Sequence, residues 1–336
     1  MKIKQLKTSV FSAVAATAML AGAQAATAQE ITVAYFLEWP MPFQAAKVAG
    51  TYEEALGVKI NWVSFDTGTA MSAAMASGDV QISVSQGVPP FVVAASAGQD
   101  IQIVDVAVSY SDNDNCVVHA DHEIDKNSAG ELAGKKVAVP LGTAAHYGFL
   151  GQMNHFGVDL ASLEVVDMAP AEGAAALAQG AVDMACGWGG GLRRMLESGN
   201  ILLTGAEKEA LGLLVFDVTT APANFVAEES DLLAKFLKVT ADANATWNAG
   251  GDDAKAMLPV IAKDAGMDED STASTMATFV FPAVDDQLSG KWLGGGAQTF
   301  MKGVADVFVN AGSIDGALDS YDAAVNTGPL TAASGM

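Results

Sequence analysis

The sequence predicts an α/β protein of two lobes, each a mostly parallel sheet with helices on both faces, joined by two hinge crossings. Three observations predict it. Short β-rich runs alternate with longer helical patterns, the order that βαβ units require. A stretch of the first half recurs without gaps in the second. The side chains are small, because 51% of the 336 residues are hydrophobic while only 7% are aromatic. Ala, Val, Leu and Met make up much of that fraction and suit close helix-on-sheet packing.

The chain opens on a segment that stands apart from the fold. Lys2, Lys4 and Lys7 form a basic start, Val10 to Leu20 a mostly apolar run, and small residues follow at Ala23-Gln24-Ala25 and Ala26-Thr27-Ala28. This is the pattern of a secretory signal peptide over residues 1–28, cleaved after Ala25 or Ala28. The apolar run is too short to cross about 30 Å of hydrocarbon, and no Cys stands at the cleavage site to carry a lipid. The mature chain is expected to be soluble and exported, without membrane insertion. Loss of the three lysines takes its charge from −22 to −25.

The first lobe begins at once. Residues 31–36, 58–65, 80–85 and 101–108 read as strands, and 43–56, 69–78 and 89–98 as helices closed by Gly stops. A second series follows, with strands at 135–140, 163–169, 182–188 and 201–205 and helices near 144–156, 171–179 and 190–198. "AAMASGDVQIS" (73–83) aligns with "AALAQGAVDMA" (175–185), each the end of a helix, a Gly stop and a buried strand. One further strand is expected at 220–230, then helices near 231–247, 252–265, 270–278, 284–288 and 293–311. The polar stretches 109–115 and 216–220 read as the crossings. The first lobe is therefore expected to comprise 29–111 and 219–336, and the second 112–218. Two such lobes place a cleft at the carboxyl ends of their strands.

Seventeen Lys and Arg against 39 Asp and Glu exclude a nucleic-acid partner, which needs clustered cations, and disfavour an anionic membrane surface. The nucleophile-elbow, zinc-protease and phosphate-loop motifs are missing. His119 and His122 stand three apart, but a tetrahedral metal site needs further ligands. They read as part of a solvated loop, and neither metal nor cofactor is expected. "CGWGGGL" (186–192) lacks the spacing of a dinucleotide loop.

Four strand-to-helix turns are more informative: "DTGTAM" (66–71), "SQGVPP" (85–90), "LGTAAHY" (141–147) and "WGGGL" (188–192). Helix starts present unpaired N–H groups and a positive dipole end, so several converging on one cleft would hold a small anion without Arg or Lys. The alternative is that each turn serves packing alone. Phe36, Trp39, Tyr147 and Trp188 stand at strand ends near these turns and suit a cleft wall, although a core position for Trp188 is the competing reading. Glu38 and Asp217 suit a ligand cation or, equally, a solvated surface. Cys116 and Cys186, an even count in an exported chain, are candidates for a disulfide or for two buried thiols.

Four motifs carry a resemblance: "FDTGTAMSAAMASGDVQIS" (65–83), "LAGKKVAVPLGTAAHYGFL" (132–150), "VDMACGWGGGL" (182–192) and "LLVFDVT" (213–219). With these the chain resembles the periplasmic substrate-binding proteins of nitrate, sulfonate and taurine ABC importers over about 31–244, leaning toward the taurine branch. The resemblance implies a type II periplasmic binding fold, a periplasmic location, a non-enzymatic role as a monomer, a small zwitterionic or anionic ligand and docking on a membrane permease. It implies that Thr143, Ala144 and His146, with neighbouring Tyr147 and the turn bearing Thr69, hold a sulfonate, that Trp188 lines the cleft and that Asp217 faces an ammonium. It also makes Cys116 and Cys186 neighbours. The loops at 35–43 and 83–90 depart from the taurine pattern. Glu38, Trp39 and Gln86 in them therefore join the ligand set and would suit a larger or more cationic ligand. Alkanesulfonates, nitrate, amines and pyrimidine precursors are the alternative ligands, and an exported enzyme using His146 or a sensory module the alternative roles.

Overall fold

The computed structural model of the protein describes residues 30–213 and 215–336, so the expected leader lies outside the described residues. Among the described residues, ten strands form two mixed sheets of five. The first holds β1 (Glu30–Tyr35), β2 (Lys59–Ser64), β3 (Ile82–Gly87), β4 (Ile101–Tyr110) and β10 (Val215–Pro222) in the order β2-β1-β3-β10-β4. The second holds β5 (Asp114–His119), β6 (Lys136–Val139), β7 (Glu164–Asp167), β8 (Met184–Trp188) and β9 (Gly199–Ile201) in the order β7-β6-β8-β5-β9.

The two sheets share one plan. In each, three neighbouring strands run parallel, and the fourth is antiparallel to both the third and the edge strand. The two copies of the sequence repeat end in β3 and β8, the central strand of each. The fourth strands, β10 and β5, are those the chain forms on entering from the other sheet.

Helices cover both faces because the strands are apolar on both. Val33, Ile82, Ile103, Val106, Val137 and Met184 are all fully buried. At about 25 cal/mol per Å² such burial stabilises by roughly 1.5–3 kcal/mol per side chain, more than helix propensity supplies. Helix Gly296–Asn310 packs on Val88–Ser96 beside the first sheet and on Ala144–Phe156 beside the second. It bears on both halves of the molecule.

Three expected elements differ. Residues 216–220 are not a crossing but the interior of β10, and the chain beyond Pro222 turns into helix Ala223–Glu228 instead of continuing as a strand to 230. The strand reads as polar because its Thr219 and Thr220 hydroxyls bond inside the core, to Asp105 Oδ2 at 3.0 Å and Gln86 Oε1 at 2.8 Å. Third, the strand expected at 201–205 stops at Ile201, because Thr204 and Glu207 form a capping box that starts helix Gly205–Ala210. β5 also begins inside the stretch 109–115 read as a crossing.

Candidate ligand-binding cleft

Two helix starts meet between the sheets. Thr67 caps helix Gly68–Ala76, its Oγ1 accepting the Ala70 N–H at 3.2 Å and its carbonyl the Met71 N–H. Thr143 caps helix Ala144–Phe156 in the same way, taking the N–H groups of His146 and Tyr147. A cap of this kind serves the third and fourth N–H of a helix and leaves the first two without an intrahelical acceptor. Those are the amides of Gly68 and Thr69 in one helix and of Ala144 and Ala145 in the other. Gly68, Thr143 and Ala144 line one chamber, and Thr69 reaches over the seam, its Cγ2 only 3.2 Å from where a Cβ on Gly142 would lie.

The other two turns offer an anion less. Helix Val88–Ser96 has Pro89 and Pro90 as its second and third residues, which have no N–H to give, so Val88 alone brings one there. Helix Gly189–Leu196 already has an anion: the Glu38 carboxylate, held by Arg194 Nη1 and Nη2 at 2.7 and 2.9 Å. Glu38 reaches this place because Gly189 and Gly190 have no side chains. A Cβ on Gly189 would lie 2.6 Å from the Glu38 carbonyl oxygen, and one on Gly190 2.5 Å from its Oε2. Glu38 itself adopts φ +52°, fixed by its N–H donating to Ala265 O at 2.8 Å. It bridges the two sheets' layers and has Arg194, not a ligand cation, as its partner.

The far end of the chamber is a carboxyl. Asp217 is 3% exposed and accepts the Ser85 hydroxyl at 2.7 Å and the Tyr110 hydroxyl at 2.8 Å. Burial pushes its pKa up to about 7, the nearby Asp114 adding to the effect and the two hydroxyls opposing it. Ser85 Oγ in turn accepts the Trp39 indole N–H at 2.9 Å. Ser85 is held at φ +61°, a conformation that costs a non-glycine residue about 1 kcal/mol or more and points to a functional constraint. Trp39 packs edge-on to Tyr110, ring centres 4.8 Å apart, and with Phe36 and Trp188 completes the wall.

The remaining expected residues take other places. Gln86 is fully buried, its amide donating to Gly68 O and Ser72 Oγ and accepting from Thr220, so it props the helix start without facing the chamber. His146 stacks on Phe308, and its Nδ1 accepts the Gly142 N–H at 3.1 Å. Burial lowers its pKa to about 4, which leaves it neutral. Tyr147 faces away from the cleft, into a cavity of about 500 Å³ on the other side of its helix, against Leu213 and Val307. Asn154, His155 and Asn310 also line it, but no charged side chain does, and it is not the candidate site. Cys116 and Cys186 are register partners on β5 and β8 with Cα atoms 3.9 Å apart, and their sulfurs are bonded. His122 is engaged by Asp183 at 2.6 Å and by Lys135 at 3.1 Å.

Sequence reasoning missed Ser85, Tyr110 and Arg194. Ser85 and Tyr110 sit in ordinary strand ends, and only the fold sets them beside Asp217. Arg194 has a signal in retrospect: Arg193 and Arg194, the two arginines of the sequence, stand together one turn into a Gly-rich helix of a basic-poor chain.

The chamber between the helix starts and Asp217 has a volume of about 20 Å³, the space of a single water. Even a ligand of a few heavy atoms therefore requires the walls to part. Among the described residues no helix is long and apolar enough to cross a membrane.

The NMT1/THI5-like family pattern matches residues 40–254. The taurine-binding periplasmic protein of Escherichia coli is 29% identical over 227 residues, 68% of this chain and 69% of that one. The solved periplasmic aliphatic sulphonate binding protein SsuA of Escherichia coli superposes with TM-score 0.68 at 20% identity, covering 87% of this chain and 95% of its own. The nitrate-binding protein NrtA of Synechocystis does so with TM-score 0.69 at 12% identity, covering 92% and 89%. The fold is thus the two-lobed α/β fold of periplasmic binding proteins.

Proposed function

The chain belongs to the NMT1/THI5-like family, and from that premise we propose that it is the periplasmic solute-binding component of an ABC importer. Its ligand in this reading is taurine or a closely related small aminosulfonate. The observation that carries the reading is a chamber lined by two capped helix starts, at Gly68 and at Thr143 and Ala144, and by one buried carboxyl, Asp217. Main-chain N–H groups and dipole ends take the sulfonate. Asp217, aligned by Ser85 and Tyr110, takes the ammonium, and the aromatic wall covers the two carbons between.

Residues 1–28 act as the export leader, and 29–111 with 219–336 and 112–218 as the two lobes. Binding closes the lobes about the crossings, and the closed form docks on the permease. No covalent step is involved: His146, in the first turn of the helix that Thr143 caps, is neutral and already bonded to Gly142.

Calorimetry on the purified full chain tests the reading. Taurine is expected to bind more tightly than an alkanesulfonate of equal length without the amine, and nitrate more weakly than either. Asp217→Asn is expected to weaken taurine about 10- to 100-fold, the worth of a charge-assisted hydrogen bond, and the amine-free sulfonate by less than threefold. Equal losses for both ligands refute the role of Asp217. Absence of heat with every sulfonate refutes the ligand class.

A further inference from the structure

The carboxyl of the chamber is the last member of a hydrogen-bond chain whose direction is set by its first. The indole N–H of Trp39 has no lone pair, so toward Ser85 Oγ, 2.9 Å away, it only donates. Among the described residues Ser85 Oγ has one other partner, Asp217 Oδ2 at 2.7 Å. The single hydroxyl hydrogen of Ser85 therefore points at the carboxyl. The Tyr110 hydroxyl, 2.8 Å from Oδ1, donates to the other oxygen. With a hydrogen aimed at each oxygen, Asp217 is set up as an acceptor, which favours the carboxylate over the protonated acid. A proton on Oδ2 would have to turn the Ser85 hydrogen away, and Ser85, fully buried, has no second acceptor among the described residues.

The first member is held firmly. Trp39 is buried, its ring centre 4.8 Å from that of Tyr110 and 4.6 Å from that of Phe279. Phe279 is fixed in turn, because its neighbour Val280 exchanges both backbone hydrogen bonds with Ser109 at 2.9 Å. Ser85 holds φ +61°, where a glycine would sit without strain, so what the position gains from serine is the hydroxyl. The titratable groups around Asp217 are few. Of the elements packed on β10, β3 and helices Gly68–Ala76 and Val88–Ser96 have none, and β4 brings Tyr110 and, further along, Asp105 against Thr219. Helix Ala223–Glu228 brings only Glu228, exposed beyond the far end of the strand. From the second sheet comes Asp114, whose carbonyl accepts from Lys208, while His146 is bonded to Gly142, and Glu38 and Arg194 to each other.

We propose that Trp39 is a positioning residue that acts through Ser85 to hold Asp217 as an acceptor, and so makes the cleft prefer an ammonium to a hydroxyl at that end of the ligand. The inference rests on the proposed function and names what sets its preference for an amine. An ammonium brings a positive charge to a carboxylate, whereas a hydroxyl of similar size brings a neutral hydrogen bond that the protonated acid serves as well. Each donor in such a chain polarises the next, so loss of the indole N–H weakens the Ser85 hydrogen bond and frees its hydrogen to turn. Protonation of Asp217 then becomes easier, and burial has already raised its pKa to about 7.

The test is calorimetry on the purified full chain with taurine and with 2-hydroxyethanesulfonate between about pH 5.5 and 8.5, in wild type, Trp39→Phe, Ser85→Ala and the double variant. Trp39→Phe keeps a ring against Tyr110 and Phe279 and removes the N–H. Wild-type affinity for taurine is expected to rise with pH to a plateau. Trp39→Phe is expected to move the midpoint of that rise upward by at least about half a unit, and to lower the ratio of taurine to 2-hydroxyethanesulfonate affinity at pH 7 by at least about twofold. In Ser85→Ala, whose own midpoint is raised, adding Trp39→Phe is expected to move it no further. Trp39→Phe that weakens both ligands alike with the midpoint unmoved overturns the inference and leaves the proposed function standing, as does an equal further shift in the Ser85→Ala background. Wild type that binds neither sulfonate overturns the function and the inference together.

Discussion

A carboxyl as deeply buried as Asp217 is neutral or charged according to what faces it. In the cleft as described its pKa rises from the usual 3.8 to about 7, and burial pushes Asp105 and Asp114 up to about 6. A raised carboxyl pKa means that the folded state holds protons the unfolded chain has released. The stability this contributes is full below about pH 4 and is lost as pH rises through the folded value. His146 acts in the opposite sense, its lowered pKa making stability rise between about pH 4 and 6.5. Three acids outweigh one histidine, so the melting temperature of the unliganded protein is expected to fall from pH 5 to pH 7.5. Asp217→Asn is expected to remove the part of that fall between pH 6 and 7. An ammonium ligand favours the carboxylate, and its stabilising effect is expected to be larger at pH 8 than at pH 5. A melting profile that rises across the window for both proteins contradicts this account. Asp217 was visible in the sequence as an acid in a polar stretch. The residues that give it its chemistry were not, since Ser85 lies 132 positions and Tyr110 107 positions away.

Among the elements, the two capped helix starts carry the anion end in the proposed reading, and they are separable from Asp217 by experiment. Thr143→Ala removes the acceptor for the His146 N–H and is expected to cost about 1 kcal/mol of stability. It also frees the first turn to move, so sulfonates with and without an amine are expected to lose affinity alike, as calorimetry would show. Selective loss of the amine-bearing ligand would contradict the assignment. Of the four turns legible in the sequence, two deliver free amides. The Pro89-Pro90 pair disqualifying the third was itself legible. The fourth was not, because its occupant Glu38 is 156 positions from Arg194. The polarity of β10 hid it for a similar reason. Thr219 and Thr220 look like loop residues until Asp105 and Gln86 are seen to receive their hydroxyls.

On the scale of the whole molecule, two sheets of one plan are joined where β5 and β10 exchange between them; the repeat at 73–83 and 175–185 made the shared plan legible, but not the exchange, since 109–115 and 216–220 read as polar crossings. What the sequence does not reveal is what limits their motion. Helix Gly296–Asn310 rests on both halves, and Glu38 and Arg194 tie them on the side of the cleft. The ion pair is about one-third exposed and therefore worth roughly 0.2–1 kcal/mol. Arg194→Ala is expected to weaken every ligand by about two- to fivefold, in line with that energy, and to enlarge the radius of gyration of the unliganded protein in small-angle scattering. Unchanged affinity together with unchanged scattering would deny the pair a part in closure.

Holding an anion with main-chain amides has a consequence for which anions are excluded. The cost of stripping water from an ion grows with the square of its charge, so sulfate or hydrogen phosphate as a dianion loses about four times the hydration of a sulfonate. The small chamber has no Arg or Lys side chain in its wall to offset that difference. In the proposed reading, scarcity of cationic side chains then biases the chamber toward singly charged ligands and away from the inorganic dianions of the surrounding medium.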